Sequence, residues 1–288
     1  MSNNRRRNSR RKQQVRRQLL LLGMIVILIV SALVCCHIRR NKKEALAGAS
    51  KIEQRDETKK AVDKTESIET DAQRVERVKK EVRSKGCPTS VIELLDKNEE
   101  TLDFVEDYEE KKDLPSADTI GEDLVEGQIP KLYQWDERWG YAGYGTSIVA
   151  VSGCGPTCMA MVAAGLTNDA SITPAKVAAY GTEHQYIDEN NDTYWRFMNE
   201  VGANWNLSCY DGQLTEDQVR AELNAGHPII CSVGPGDFTQ NGHFIVLTGY
   251  KDGSVTINDP FSRKNSSQPW VYDEIADQIK AMWVYSVR

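Results

Sequence analysis

Residues 153–161 read GCGPTCMAM, and this stretch places a thiol, Cys154, between two glycines at the start of a helical pattern. Pro156 suits the first turn of a helix, where the backbone needs no N–H donor. Gly153 and Gly155 permit a sharp turn and leave room beside the sulfur. Cys154 is therefore predicted to lie at a helix N-terminus, where the partial positive charge favours a nucleophilic thiolate.

Other roles for the cysteines have less support in the sequence. Cys154 and Cys158 are an i, i+4 pair, but no second Cys/His pair with zinc spacing follows, so we expect no metal site. Packing in a core suits Cys158 and Cys231, which lie in apolar patterns. A disulfide stays open for Cys209 with Cys231, or for a pair that includes Cys87 or Cys158.

A nucleophilic thiol needs a base, a group that orients the base and a donor for the oxyanion. His243 follows a glycine at the start of an apolar strand, so its ring can face a cleft. If the hairpin YKDGSV pairs this strand with the next, Asp259 returns beside His243 and can hold its tautomer, with Asn258 as the alternative. Gln134, in KLYQWDERWG, could complete an oxyanion hole with the Cys154 backbone N–H.

The region from residue 129 to residue 288 has the composition of a compact domain and contains all six tryptophans. Helical patterns lie near residues 154–165, 173–180, 191–201 and 215–225, and strand patterns lie in PIICSV, HFIVLTGY, SVTIND and AMWVYSV. Helices followed by antiparallel strands predict an α+β fold, with the nucleophile helix in the first part and the antiparallel sheet in the second.

The N-terminal part of the chain predicts a membrane anchor. Residues 19–36 carry no charge, and eighteen helical residues rise about 27 Å, close to the thickness of the hydrocarbon core. We therefore expect a transmembrane helix over 18–38, after a basic cytoplasmic tail over 1–17, with the rest of the chain outside the cell. A signal peptide or a lipid-anchored Cys35 or Cys36 fits less well. The tail indicates contact with anionic lipid rather than with nucleic acid.

Two charged segments follow the predicted span. Residues 39–86 have no aromatic residue and read as a charged stalk, helical in part. Residues 87–128 carry fourteen Asp and Glu against three Lys and Arg, and we interpret them as an acidic helical arm and joint that belong to the following domain. Ser90 and Glu93 predict a capping box at the start of the arm. The arm could also cover the cleft as an inhibitory segment.

The motifs YQWDERW, SGCGPTCMAM, AGHPII, GHFIVLTGY and INDP, in this order, resemble the papain-like clan. More narrowly, they resemble cysteine peptidase family thirty-nine, the bacteriocin-processing peptidases and their stand-alone relatives. The resemblance implies a papain-like fold over 129–288, with Cys154 as nucleophile and His243 as general base and acid. It also implies Asp259 as the partner of the histidine and Gln134 as the oxyanion donor. The arm is similar to an extension seen ahead of such domains in Gram-positive bacteria.

One departure from the family limits what the resemblance implies. The bacteriocin-processing members are fused to a transporter, whereas this sequence shows one predicted span and no phosphate loop. Specificity for double-glycine leaders is therefore not expected. We expect a membrane-anchored extracellular cysteine peptidase that acts on a peptide or protein without metal or organic cofactor. The alternatives are a peptidoglycan peptide amidase or endopeptidase that uses the same site, and a non-catalytic binding module of the same fold.

Overall fold

A helical first half and a strand-rich second half are seen in the computed structural model of the chain, which describes residues 69–288. The helices are α1 (Asp71–Ser84), α2 (Thr89–Ile92), α3 (Leu94–Lys97), α4 (Leu102–Glu106), α5 (Tyr108–Lys111), α6 (Val149–Ser152), α7 (Cys154–Thr167), α8 (Pro174–Glu183), α9 (Arg196–Glu200), α10 (Glu216–Asn224) and α11 (Tyr272–Ile275). Short 3₁₀ turns cover Glu99–Thr101, Gly121–Asp123, Val201–Trp205, Asn265–Ser267 and Ala276–Gln278.

The strands form one small and one large antiparallel sheet. They are β1 (Gly143–Tyr144), β2 (Ser147–Ile148), β3 (Leu207–Asp211), β4 (Ile229–Val233), β5 (His243–Lys251), β6 (Ser254–Asn258), β7 (Pro269–Val271) and β8 (Ile279–Val287). Strands β1 and β2 pair with each other, and the six-stranded sheet has the order β3-β8-β4-β5-β6-β7. The predicted α+β class with an antiparallel sheet is confirmed. Strand β3, at the edge of the sheet, was not predicted.

The hairpin between β5 and β6 sets the register that matters for the site. Asp252 and Gly253 form its turn, with φ values of 51° and 80°. Positive φ at both central residues is the geometry that a tight hairpin needs, which explains the Asp-Gly pair. Lys251 therefore pairs with Ser254, and at the other end of the strands Val246 pairs with Asn258. The hairpin predicted from YKDGSV is confirmed.

The large sheet has a core on each face. Along β4, Ile230 faces one core and Ile229 and Cys231 face the other, as the two-residue repeat of a strand requires. Helix α7 packs on the first face against β5 and β8, while α10 packs on the second against β4 and β5. Residues 155–164 of α7 are all buried, because this helix lies inside the domain rather than on its surface.

The arm and part of the predicted stalk pack against the domain. Val75, Val78 and Val82 of α1 are buried in a third core that also includes Trp135 and Tyr141. The compact unit runs from Glu69 to the end of the chain, so it begins within the segment that the sequence assigns to the stalk.

Two local predictions differ from the structure. The capping box of Ser90 and Glu93 does not form, since Pro88 is the residue before α2 and no side chain caps that helix. The helix predicted over 191–201 begins only at Arg196, and the residues before it form a loop.

The predicted tail over 1–17, the predicted span over 18–38 and the first part of the stalk lie outside the described residues. Within residues 69–288, no helix combines the length and the apolar character needed to cross a membrane.

Candidate active site

Cys154 is the first residue of α7 and is partly exposed. The glycines beside it are explained by close contacts. A Cβ on Gly155 would lie 2.7 Å from Oγ1 of Thr193, and a Cβ on Gly153 would lie 2.5 Å from the carbonyl oxygen of Val149. Neither distance is compatible with a larger side chain. Both glycines are therefore required where the chain enters α7 and passes close to Thr193 and Val149. The sulfur of Cys154 lies at the surface of a cleft.

His243 is the first residue of β5, and its Nε2 lies 2.8 Å from Oδ1 of Asp259. Asp259 directly follows the last residue of β6, so the pairing of β5 with β6 brings the two residues together. Because Nε2 contacts the carboxylate, Nδ1 is the ring nitrogen that remains for a thiol. Both side chains are largely buried, His243 at 9% exposure and Asp259 at 1%.

A turn after β6 holds the Asp259 carboxylate. The side-chain amide of Asn265 donates to Oδ2 at 2.8 Å, and the backbone N–H of Phe261 donates to Oδ1 at 2.8 Å. The backbone N–H of Asp259 donates to Oγ of Ser266 at 2.9 Å. Asn258, the alternative partner for the histidine, instead donates to the carbonyl oxygens of residues 129 and 130, each at 3.0 Å. The structure therefore brings Asp259, and not Asn258, to His243.

His243 and Asp259 each shift the pKa of the other so that both charged forms are stabilised. Burial alone lowers the pKa of His243, but the Asp259 carboxylate and the Cys154 sulfur outweigh burial, and the pKa of His243 is raised. Burial raises the pKa of Asp259, but His243, Asn265 and the Phe261 N–H together outweigh it, and that pKa is lowered. Both shifts favour an imidazolium beside a carboxylate.

Gln134 is 3% exposed and lies on the wall of the same cleft. Its backbone N–H donates to the carbonyl oxygen of Pro260 at 2.8 Å, and its Nε2 donates to the carbonyl oxygen of Ala150 at 2.8 Å. An amide nitrogen carries two protons, so one N–H of Gln134 is not used by the hydrogen bond to Ala150. The Gln134 oxygen is buried without a hydrogen-bond partner among the described residues.

The cleft has a volume of about 720 Å³ and contains Gln134, Cys154 and His243 in its lining. Three other segments form its walls: Leu94, Asp96 and Lys97 of the arm; Asp192, Thr193 and Trp195 before α9; and the loop 236–242 between β4 and β5. A second cavity of about 830 Å³ is lined by none of the four predicted site residues, so its larger volume does not connect it with this chemistry.

The remaining cysteines have no part in the cleft. All five cysteines among residues 69–288 are free. Burial raises the pKa of Cys209 to about 12, and it also raises the pKa of Cys158 and of Cys231, so these thiols stay protonated. The pairing of Cys209 with Cys231 is excluded, because β8 lies between their strands β3 and β4. No group of residues suited to bind a metal occurs in the described part of the chain.

The sequence analysis did not indicate several residues of the cleft, nor Asn265, which supports Asp259 from outside the cleft lining. Asn265 follows Asp259 by six residues, and a short polar side chain after an Asp-Pro turn is a signal that could have indicated it. Trp195 is 51% exposed on the wall of the cleft, yet the sequence assigns it to a helix. The arm residues Leu94, Asp96 and Lys97 gave no local signal, since only the packing of the arm brings them to the cleft.

Comparisons with known proteins place the domain in a family. The model of the Peptidase_C39 like family matches residues 127–288. One similar structure is the peptidase domain of Streptococcus ComA, described as a bi-functional ABC transporter involved in a quorum sensing pathway. It is 17% identical, with a TM-score of 0.38, and the match covers 48% of this chain and 93% of that chain. A C39-like peptidase from Bacillus anthracis is 15% identical, with a TM-score of 0.35, 58% of this chain covered and 99% of that chain. No curated protein matches this chain.

Proposed function

The chain belongs to the Peptidase_C39 like family, and from this premise we propose that it is a cysteine peptidase that hydrolyses peptide bonds at Cys154. One observation carries the proposal: Cys154 begins a helix in a cleft that it shares with His243, whose ring is held by Asp259 at 2.8 Å. A thiol at a helix N-terminus, a histidine and a carboxylate in this order provide the nucleophile, the acid and base, and the orienting group that acyl transfer needs.

In the first half of the reaction, the Cys154 sulfur attacks the carbonyl carbon of the substrate, while Nδ1 of His243 holds the thiol proton. The negative charge that develops on the carbonyl oxygen is stabilised by the second N–H of Gln134 and by the backbone N–H of Cys154. The first N–H groups of a helix have no acceptor within the helix. The backbone N–H of Cys154 is therefore available. The imidazolium then donates its proton to the leaving amine as the C–N bond breaks.

In the second half, water hydrolyses the thioester. His243 accepts a proton from water as the water oxygen attacks the carbonyl carbon, and the same two N–H donors stabilise the oxyanion. The C–S bond breaks, the product acid leaves, and the proton returns to the Cys154 sulfur. Asp259 keeps its charge throughout, because its role is to orient the ring and to stabilise the imidazolium.

The open cleft supports an extended peptide or a flexible protein segment as substrate, since its walls come from three separate segments rather than from a closed pocket. The location is proposed from the sequence alone. The apolar run over 19–36 and the basic residues on either side support a single membrane span, with the peptidase domain outside the cell. Cell-wall peptides are then an accessible alternative substrate.

The test uses residues 69–288, the whole compact unit, and the same piece with Cys154→Ala. Both are incubated with a diverse peptide pool under reducing conditions, and the products are identified by mass spectrometry. Cleavage by the unmodified piece alone is the expected result. Equal cleavage by both pieces would overturn the role of Cys154. Cleavage of purified cell-wall peptides but not of the pool would assign the wall substrate instead.

A further inference from the structure

The turn that carries Asp259 is also held from the arm. The carboxylate of Glu100 accepts two backbone N–H groups of this turn, that of Arg263 at 2.8 Å through one oxygen and that of Lys264 at 3.1 Å through the other. The side chain of Asn98 donates to the carbonyl oxygen of Phe261 at 2.6 Å. Hydrogen bonds in which the acceptor is charged are shorter and stronger than neutral ones. The arm therefore holds three backbone groups of the turn, at residues 261, 263 and 264.

Residues of the peptidase-like domain, Trp135 and Tyr133, also contact the turn. The ring nitrogen of Trp135 donates to the carbonyl oxygen of Phe261 at 2.8 Å, so that oxygen accepts from both sides. The Arg263 guanidinium lies over Trp135 at 4.3 Å from the ring centre and over Tyr133 at 5.1 Å. Asn98 orients Glu100, because its Oδ1 accepts the Glu100 backbone N–H at 3.0 Å and its Nδ2 donates to Oε2 of Glu100 at 3.3 Å. The two acceptor oxygens of Glu100 are thus presented to the turn in a set position.

These contacts are linked to His243, the candidate acid and base, through the residues that hold Asp259. The clamped backbone at 263 and 264 leads directly into Asn265, whose amide holds Oδ2 of Asp259, and Phe261 holds Oδ1. Asp259 in turn sets the orientation of His243. Glu100 is outside the cleft lining and does not contact the site of reaction. Any effect of Glu100 on turnover must therefore pass through the turn.

We propose that Glu100 is a positioning residue that holds the turn 261–265 so that Asp259 keeps His243 oriented toward Cys154. This inference rests on the proposed peptidase function of the same site. Glu100 precedes residues 127–288, the part of the chain matched by the family model. The arm is thus a structural part of this active site.

The test compares Glu100→Ala and Glu100→Gln with Glu99→Gln in the full-length chain. Glu99 is the exposed neighbour of Glu100 and provides a control that changes the same charge without touching the turn. We measure kcat and KM with a cleaved peptide. We also measure the pKa of His243 by NMR of ¹³C-labelled histidine, with the signal assigned from a His243→Gln variant among the four histidines.

Glu100→Ala is expected to lower kcat about tenfold with KM within about twofold, because a small displacement of catalytic groups slows chemistry more than binding. It should also lower the pKa of His243. Glu100→Gln keeps one acceptor oxygen and should give intermediate values, and Glu99→Gln should match the wild type. A lower melting temperature with unchanged kcat and unchanged His243 titration in both Glu100 variants would overturn the proposal.

The NMR measurement separates this inference from the proposed function, since it needs no turnover. If the wild type cleaves no peptide but the His243 titration shifts in the Glu100 variants, positioning holds and the peptidase assignment fails. If the wild type cleaves peptides and neither Glu100 variant changes kcat or the titration, only the role of Glu100 fails. Should Glu100→Ala not fold, Glu100→Gln gives the same two readouts.

Discussion

The ring of His243 and the carboxylate of Asp259 meet at 2.8 Å across the β5–β6 hairpin, although sixteen positions separate them in the sequence. The hairpin explains this meeting, because its tight turn returns β6 antiparallel to β5 and ends it beside the start of β5. The two residues lie just at the ends of paired strands, so they are held by the most regular part of the fold. This contact is the basis for two predictions about pH.

Asp259→Asn is expected to move the alkaline limb of the pH–rate profile to lower pH. Without the carboxylate, the largest contribution that opposes burial is lost, and the pKa of His243 falls. The imidazolium that protonates the leaving amine is then lost at a lower pH, and kcat/KM at neutral pH should fall roughly a hundredfold. Asp252→Asn, at the exposed hairpin tip, is the matched control and should leave the profile unchanged. An unshifted alkaline limb in Asp259→Asn would contradict the assignment.

The stability that the His243–Asp259 pair provides should decrease at both alkaline and acidic pH. The pKa of His243 is raised in the folded chain, so its contribution is complete below about 6.5 and is lost as pH rises through the folded value. The pKa of Asp259 is lowered, so its contribution is complete above about 3.9 and is lost as pH falls. The difference in melting temperature between wild type and Asp259→Asn should therefore be largest between about pH 4 and 6.5. Thermal melts in the Cys154→Ala background measure it, and a difference that grows toward alkaline pH would be evidence against the ion pair.

The parts of the site that could be predicted from the sequence depend on local rules. GCGP predicts a helix start at Cys154, and YKDGSV predicts the hairpin that brings Asp259 to His243, because both signals act over a few residues. Glu100 contacts turn residues that follow it by 163 and 164 positions in the sequence. No local pattern in either segment predicts this contact. The arm likewise reads as one helical pattern, but it breaks into short helices since it must follow the surface of the domain.

Gln134→Ala is expected to reduce kcat by roughly a hundredfold to a thousandfold with little change in KM, because an oxyanion donor acts mainly in the transition state. The variant also leaves the buried Ala150 carbonyl oxygen without this partner, which should cost about 1–3 kcal/mol of stability. Steady-state kinetics and a thermal melt measure the two effects separately. The exposed Gln213→Ala is the control. A Gln134→Ala variant with a raised KM and an unchanged kcat would instead make Gln134 a binding residue.

Cys158→Ser is expected to lower stability while the folded enzyme keeps its activity. Cys158 belongs to α7, and its side chain is fully buried in the first core. A hydroxyl placed there without a partner should cost about 1–3 kcal/mol. Cys209→Ser, at a partly exposed thiol, should cost less. Urea unfolding gives the stabilities, and active-site titration corrects the rates for the folded fraction. A large loss of activity per folded molecule at unchanged stability would show that Cys158 takes part in the reaction.

The arm should be required for the stability of the domain as well as for the turn at Asp259. Tyr141 stacks on Phe104 of the arm, with ring centres 4.2 Å apart, and its hydroxyl donates to the Phe104 carbonyl oxygen at 3.0 Å. A piece that starts at residue 127 would expose this ring and that of Trp135 to water. Each large apolar side chain that becomes exposed to water lowers the free energy of unfolding by about 1.5–3 kcal/mol.

Residues 127–288 are therefore expected to unfold at a clearly lower urea concentration than residues 69–288. A piece that starts at residue 85 should lie between them, since it loses only Val75, Val78 and Val82 of α1. The slope of the urea transition should also fall with each shortening, because less surface is exposed on unfolding. If 127–288 unfolds at the same urea concentration as 69–288, the third core makes no net contribution to folding, and the arm acts on the site only through Glu100 and Asn98.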